Sequence, residues 1–318
     1  MAPSLDAIPH YDGNVRAALI VNPVRKAATS ATRAVRAACR LNGWDEPLVL
    51  QTTVERPGQA QTWDALDAGV DRIIVVGGDG TLRLVAGALA ESGELTGLGI
   101  VPIGAANIVA RNLGLFPGPV ETAAMTALTG RRRPLSVGWV AYRRKTQDGD
   151  ITPMLAVAGI GRDAEAVAAT QPSMKRRAGW LAYAATGGRQ AFRPAIPMKV
   201  TIDDGPAETV RAWSVLAANV PRLPMGVVAF PGASLDGDAM RVLQVRLRNP
   251  GDWLPVAIKG LTHHDAPVAA LHYSSAQQLM VEPGRPMPVQ VDGDVIPDVA
   301  AMSVTVQPSA VFVVTALP

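Results

Sequence analysis

Arg72-Ile73-Ile74-Val75-Val76-Gly77-Gly78-Asp79-Gly80-Thr81 changes character halfway along. A short apolar run with strand composition gives way to a glycine-rich loop, and the residues from Leu82 to Ala90 then have helical composition. A strand that delivers glycines to the start of a helix lets backbone amides and a helix N-terminus converge on a phosphate. Glycine is needed there because a side chain would hold the phosphate away. Asp79 would repel a bare phosphate, so it makes sense if Mg²⁺ lies between them or if it orders the loop. The same spacing also suits a glycine turn in which Asp79 caps the helix.

On the N-terminal side, Val15 to Val21 reads as a strand running into Asn22-Pro23. An alanine-rich helix follows through Leu41, then a strand from Pro47 to Thr53 and a helix from Gln59 to Ala68. On the C-terminal side, Gly99 to Ile103 is a strand, followed by a turn and a helix from about Asn107. Strands alternating with helices imply parallel strands with right-handed crossovers, hence an open α/β sheet covered on both faces. Beyond Arg131-Arg132-Arg133-Pro134 strand signals dominate, with Leu135 to Tyr142, Met154 to Ala158, Met198 to Ile202, Trp213 to Ala218, Met240 to Val245 and Val289 to Val291 separated by Gly, Pro and Asp turns. One helix, roughly Lys175 to Ala191, interrupts them. The expected organisation is an α/β nucleotide-binding domain over residues 1–134, completed by 303–318, and a β-rich antiparallel sandwich over 135–302.

Composition narrows the function classes. In 318 residues, 48% are hydrophobic, 18% charged and only 4% aromatic, with a net charge of +3. That is a folded protein without the basic stripe and stacking aromatics of a nucleic-acid binder. Basic residues cluster at Arg131 to Arg133, Arg143 to Lys145 and Lys175 to Arg177, as solvated segments or as contacts for an anionic membrane surface. A lone cysteine, Cys39, excludes an intrachain disulfide and favours a reducing compartment. The N-terminus has no basic segment leading into an apolar run, so the expected location is cytoplasmic. Val299 to Pro318 is uncharged, but Gln307-Pro308-Ser309 interrupts it and its apolar residues alternate with Ser and Thr, so it reads as two short strands. His263-His264-Asp265 lacks metal-ligand spacing, and no Gly-x-Ser-x-Gly elbow is present.

Five motifs in order give the loop a context. Gly77-Gly78-Asp79-Gly80-Thr81 resembles the signature of the diacylglycerol kinase catalytic family, which also includes sphingosine and ceramide kinases and bacterial lipid kinases. Pro102-Ile103-Gly104-Ala105-Ala106-Asn107 is similar to the family's second nucleotide loop, and Gly159-Ile160-Gly161-Arg162-Asp163-Ala164 to its Gly-x-Gly-x-Asp-Ala turn. Lys175 to Tyr183 resembles its basic helix, and Val291-Asp292-Gly293-Asp294 its late Asp-Gly-Glu motif. The resemblance implies an ATP- and Mg²⁺-dependent kinase acting on the hydroxyl of a lipid of the diacylglycerol, ceramide or sphingoid type, with its active site in the cleft between the domains. Asn22, Gly77 to Thr81, Gly104 and Asn107 would surround the nucleotide. Asp292 would be the general base, with Asp79 and Lys175 as further catalytic groups, and Asp294 and Asp236 would be metal ligands. Membrane contact would be peripheral, at the inner face, and the resemblance leaves room for a homodimer.

The chain departs from the family pattern at several points. Asn22-Pro23-Val24-Arg25-Lys26 replaces Asn-Pro-x-Ser-Gly, which removes a hydroxyl and a glycine and supplies two cations. Ala105 stands for Thr, Ile108 and Ser136 each for Asp, and Asp294 for Glu. Two acids of the usual network are therefore missing, which keeps open a weakened nucleotide- or lipid-binding module of the same fold. An NAD-kinase-like enzyme shares the glycine-loop logic but normally shows an Asn-Glu pair, and this chain has no such dipeptide. A phosphofructokinase-type enzyme would explain the glycine loop without the later motifs.

Overall fold

The computed structural model describes residues 15–144, 149–169, 193–262 and 267–316. The chain divides into two compact units, Met1–Val137 with Pro308–Pro318, and Gly138–Gln307.

The first unit contains β1 (Ala17–Val21), α1 (Ala28–Leu41), β2 (Leu48–Gln51), α2 (Gln59–Asp67), β3 (Arg72–Gly77), α3 (Asp79–Ser92), β4 (Gly97–Pro102), α4 (Ile108–Asn112) and α5 (Val120–Thr129). β2, β1, β3 and β4 lie side by side in that order, all parallel. β1 and β3 are buried along their whole length. That explains why they read as continuous apolar runs: helices cover both faces of a parallel sheet. One face packs Leu19, Ile74 and Val76 against Ala31 and Val35 of α1 and Ala127 of α5. On the other, α2 and α3 pack together and against β1 and β3. Cys39 lies in the α1 interface, where burial pushes its thiol up to about 11, so it is an inert core residue.

The second unit begins within β5 (Arg131–Arg144) and continues through β6 (Asp150–Met154), β7 (Val157–Gly161), α6 (Arg162–Ala169), β8 (Ile196–Ile202), β9 (Glu208–Ala212), β10 (Ser214–Ala218), β11 (Met240–Val245), α7 (Trp253–Thr262), β12 (Leu271–Ala276), β13 (Gln278–Pro283), β14 (Met287–Val291) and most of β15 (Asp294–Thr315). One layer runs β12-β11-β10-β7-β14 and another β9-β8-β13, with β15 pairing both β13 and β14. The pairings are antiparallel. β8 shows the alternation such a sandwich demands: Ile196, Met198 and Val200 are buried while Pro197 and Lys199 are exposed. They meet Val215, Val242 and Val289 of the facing layer in one core.

Several expectations are corrected. The helix after the glycine loop starts at Asp79, not after Thr81, because Gly78 in an extended conformation is its N-cap and the Leu82 N–H already reaches the Gly78 carbonyl at 3.0 Å. Met154 to Ala158 is not one strand; Leu155 and Ala156 separate β6 from β7. The two short strands expected after Val299 are a single β15, in which Ser309 takes a positive φ of 49° and turns the strand without ending it. Its last part returns to the first unit, where Phe312 and Val313 pair in parallel with Gly97 and Leu98. α7 was unexpected because Pro255 and Gly260 argue against a helix, but Pro255 falls in the first turn, where a missing N–H costs little. The expected helix from Lys175 to Ala191, Lys175 itself, and His263-His264-Asp265 lie outside the described residues.

Candidate active site

In the first unit the chain leaves β1 for β2 on one side and resumes at β3 on the other, so the loops after β1 and β3 part at the carboxyl edge of the sheet. In open α/β sheets, that switch point is where ligands bind. The strand ends are tied together there. The Asn22 N–H donates to the Val76 carbonyl at 3.0 Å and the Ile103 N–H to the Gly77 carbonyl at 2.9 Å. Asn22, Gly77 and Ile103 therefore sit in one row. Immediately beyond lies the first turn of α3, a helix of 14 residues whose N-terminal end, with Asp79, Gly80 and Thr81, carries the positive pole of the helix dipole.

Two glycines from different loops touch at this edge. A Cβ on Gly78 would lie 3.0 Å from Gly104 Cα, and one on Gly104 would lie 2.5 Å from Gly78 Cα and 2.6 Å from Asn107 Oδ1. Any side chain at either position would wedge the loops apart. The cradle is also positive, since an Arg25 guanidinium nitrogen lies 3.8 Å from the same Gly78 Cβ position. Arg25 is exposed, and no acidic side chain pairs with it among the described residues. Asn107 holds the second loop in a left-handed conformation, φ 48°, with its amide donating to the Gly104 carbonyl at 2.9 Å. Its Oδ1 is buried and accepts no hydrogen bond among the described residues. Asp79 accepts a long 3.4 Å bond from the Val109 N–H, which links the glycine loop to α4.

In the second unit, Asp292 and Gly293 form the two-residue loop between β14 and β15. Their φ values of 49° and 89° are both positive, as a type I′ hairpin requires. The carboxylate of Asp292 turns back onto the break between β6 and β7. Its Oδ2 accepts the Leu155 N–H at 2.8 Å, and its Oδ1 accepts those of Ala156 at 2.9 Å and Val157 at 2.8 Å. The Asp292 N–H donates to the Val157 carbonyl at 2.8 Å. The turn expected from Asp-Gly is thus present, and its carboxylate is immobilised by three backbone donors. Asp294, the first residue of β15, is exposed opposite Val291. Asp236 lies in the turn before β11 and accepts a hydrogen bond from the Ser234 hydroxyl. Among the described residues no three His, Cys, Asp or Glu side chains converge on a metal position.

Residues 16–140 match the diacylglycerol kinase catalytic domain, a span that includes the row of strand ends, both touching glycines and Arg25. That span carries the likeness to a diacylglycerol kinase catalytic domain. It is 35% identical over 174 residues to a probable lipid kinase YegS-like of Pseudomonas fluorescens, covering 54% of each. It is 26% identical over 226 residues to a diacylglycerol kinase of Bacillus subtilis, covering 70% of this chain and 71% of that one. The match spans about half the length of the Pseudomonas relatives. A putative diacylglycerol kinase structure from Bacillus anthracis superposes with a TM-score of 0.74 at 19% identity, over 94% of this chain and 97% of that one, which shows the shared fold.

The Gly159-Ile160-Gly161-Arg162-Asp163-Ala164 segment has a physical explanation in this chain. Gly159 is small because a Cβ there would overlap the Asp163 carboxylate, and Gly161, at φ 128°, would collide with the backbone of Trp213. Asp163 sits in the first turn of α6, its N–H bonded to the Ser214 hydroxyl at 2.9 Å. Both of its carboxylate oxygens are shut off from solvent and accept no formed hydrogen bond among the described residues. Burial pushes its pKa up to about 6, although the Ser214 hydroxyl, the Ala164 backbone and the Gln290 amide lie close enough to hold it down somewhat. Gln290 in turn accepts the Gly293 N–H at 3.1 Å, next to Asp292. Sequence reading placed Asp163 in a turn motif and missed this buried acid; the Gly-x-Gly spacing ahead of it was the only signal. Ser136, where the diacylglycerol kinases commonly have Asp, is buried, and its hydroxyl accepts the Ser309 N–H at 3.2 Å, fastening the bend in β15.

Proposed function

We propose that the chain transfers the γ-phosphate of ATP to the hydroxyl of a lipid, of the diacylglycerol, ceramide or sphingoid type, at a membrane surface. The observation that carries this reading is the contact of Gly78 with Gly104 beneath Arg25, at the head of α3. It offers a polyphosphate bare amides, a helix N-terminus and a fixed cation together, which is most of what phosphoryl transfer asks of a protein. Asn22, Gly77, Gly80, Thr81 and Asn107 complete the nucleotide surface, and Lys175 is a further candidate cation. Mg²⁺ held beside phosphates uses one or two carboxylates and fills its remaining positions with water and phosphate oxygens, so a loop with a single acid suits it. Asp79 would hold it, with Asp294 and Asp236 as further candidate ligands, and it would neutralise charge on the transferred group. Asp292 would accept the proton of the attacking hydroxyl. No helix among the described residues is long and apolar enough to cross a membrane.

ATP consumption with a panel of lipid alcohols tests the reading, and mass spectrometry of lipids that co-purify narrows the panel. Phosphorylation of none of them, with ATP and lipid still bound, would sink it in favour of a binding module. The three amides that immobilise Asp292 are the observation in favour of that second reading, since they give the residue a structural task regardless of chemistry.

Two substitutions probe the nucleotide cradle. Gly78→Ala puts a methyl against the Gly104 backbone, which cannot rotate away, so the affinity for an ATP analogue is expected to fall at least about tenfold. Arg25→Gln removes a single charge-assisted contact, and a KM for ATP raised roughly tenfold at nearly unchanged kcat is expected. Steady-state kinetics that left KM for ATP untouched would remove Arg25 from the site.

A further inference from the structure

The second unit contains a cavity of about 610 Å³ whose lining, among the described residues, holds no acidic side chain. Arg211, Arg246 and Arg248 face it, together with His272. They arrive from separate segments: the end of β9, the chain just past β11, and the start of β12. No ion pair engages any of the three arginines among the described residues. Two nearby carboxylates among the described residues already have partners, one of them Arg193, a fourth arginine of the lining. Glu165 pairs with Arg162 at 2.8 Å and Arg193 at 3.2 Å, and Asp252 accepts the backbone amides of Arg248 at 2.6 Å and Asn249 at 3.3 Å.

Two of the guanidinium groups are fixed by neutral acceptors, which orients them without cancelling their charge. Arg246 donates twice to Gln244 Oε1, at 3.0 and 2.6 Å, and Arg211 donates to the Ala195 carbonyl at 3.1 Å. The local field registers on His272, whose pKa is held below its ordinary value by burial first and then by Arg246, with Arg248 acting in the same direction. Like charges held around a hollow repel one another, and a bound anion relieves that repulsion. Planar forks fixed in this way match the oxygens of a phosphate.

We propose that this cavity binds the phosphate group of a phosphate ester. The site stands apart from the kinase reading, because it requires neither nucleotide nor turnover. Its neighbour, α7, bears on where the ester comes from. The helix begins directly after the cavity-lining Pro250 turn, and Trp253 packs edge-on against Trp213 at 5.0 Å. Leu254 and Ile258, four residues apart on one side of the helix, are 67% and 50% exposed. An apolar ridge beside a cationic hollow is the complement of a phospholipid headgroup above its acyl chains.

The test uses the full chain without ATP. Inorganic phosphate and glycerol 3-phosphate are titrated calorimetrically, and co-sedimentation is measured with phosphatidylcholine vesicles with and without phosphatidic acid. Arg211→Gln with Arg248→Gln, both exposed positions, and Leu254→Ser with Ile258→Ser are compared with the parent, and circular dichroism confirms folding. Binding of the soluble ligands, weakened tenfold or more by the arginine pair and untouched by the apolar pair, supports the site with a soluble ester. Binding only to phosphatidic acid vesicles, lost with the arginine pair and weakened with the apolar pair, supports it with a lipid headgroup. Absence of binding in both arms, or binding indifferent to the arginines, overturns the proposal. Should Arg211→Gln with Arg248→Gln misfold, Arg248→Gln alone carries the same comparison, since Arg248 is exposed and no hydrogen bond from its guanidinium is found among the described residues.

Discussion

Asp292→Asn is expected to lower kcat by about a hundred- to ten-thousandfold while leaving KM for ATP nearly unchanged, the signature of a lost proton acceptor. The same substitution also disturbs structure. An amide can still accept the Ala156 and Val157 N–H bonds at its oxygen, but its NH₂ then faces the Leu155 N–H, donor against donor. That mismatch alone is worth on the order of 1–3 kcal/mol of stability. Kinetics well below the melting transition separate the two effects. A residue that only braces the break between β6 and β7 would give a variant whose activity returns on cooling or with a stabilising osmolyte. A residue that accepts a proton would leave a folded variant with kcat still depressed at every temperature. Recovery of normal turnover in the folded variant would remove Asp292 from the chemistry.

Asp163→Asn is expected to stabilise the second unit above pH 6 and to flatten the pH dependence of its unfolding. Burial raises the folded-state pKa of Asp163 from 3.8 to about 6, so between those values the folded chain keeps a proton that the unfolded chain releases. Stability is then greatest below about pH 4, falls as pH rises through 6, and stays low above it. A shift of this size corresponds to about 3 kcal/mol at most. The neutral, similarly shaped Asn avoids the buried charge, so the unfolding midpoint at pH 8 should rise by several degrees, with no gain at pH 4. Thermal melts across pH 4 to 8 check this, and identical pH profiles for parent and variant would show that Asp163 is solvated or neutralised in solution. A buried acid that costs stability at neutral pH is the kind of group retained at functional sites.

What could be read in the sequence depended on whether a feature was local. β3 and its glycine loop were legible because burial on both faces demands an unbroken apolar run, and because only glycine fits where Gly78 meets Gly104. Asp292-Gly293 was legible as a turn for the same reason, but the three amides that hold its carboxylate come from residues more than a hundred positions earlier. Asp163 looked like part of a turn, since its burial arises only when the start of α6 folds over Gly159. α7 was hidden by Pro255, whose position in the first turn cannot be known before the helix start is known. The cavity arginines were unreadable because Arg211, Arg246 and Arg248 carry no common spacing and become neighbours only through the pairing of β10, β11 and β12.

β15 has a consequence for how the protein is made. The flank of β4 is filled by Phe312 and Val313, which leave the ribosome only after the roughly 170 residues from Gly138 to Gln307 have emerged. A nascent first half would therefore wait with one row of peptide groups uncovered, and such a row is a template for intermolecular pairing. Chains interrupted before Phe312 should collect in inclusion bodies, and chaperone demand should peak in the interval before Phe312 and Val313 are added.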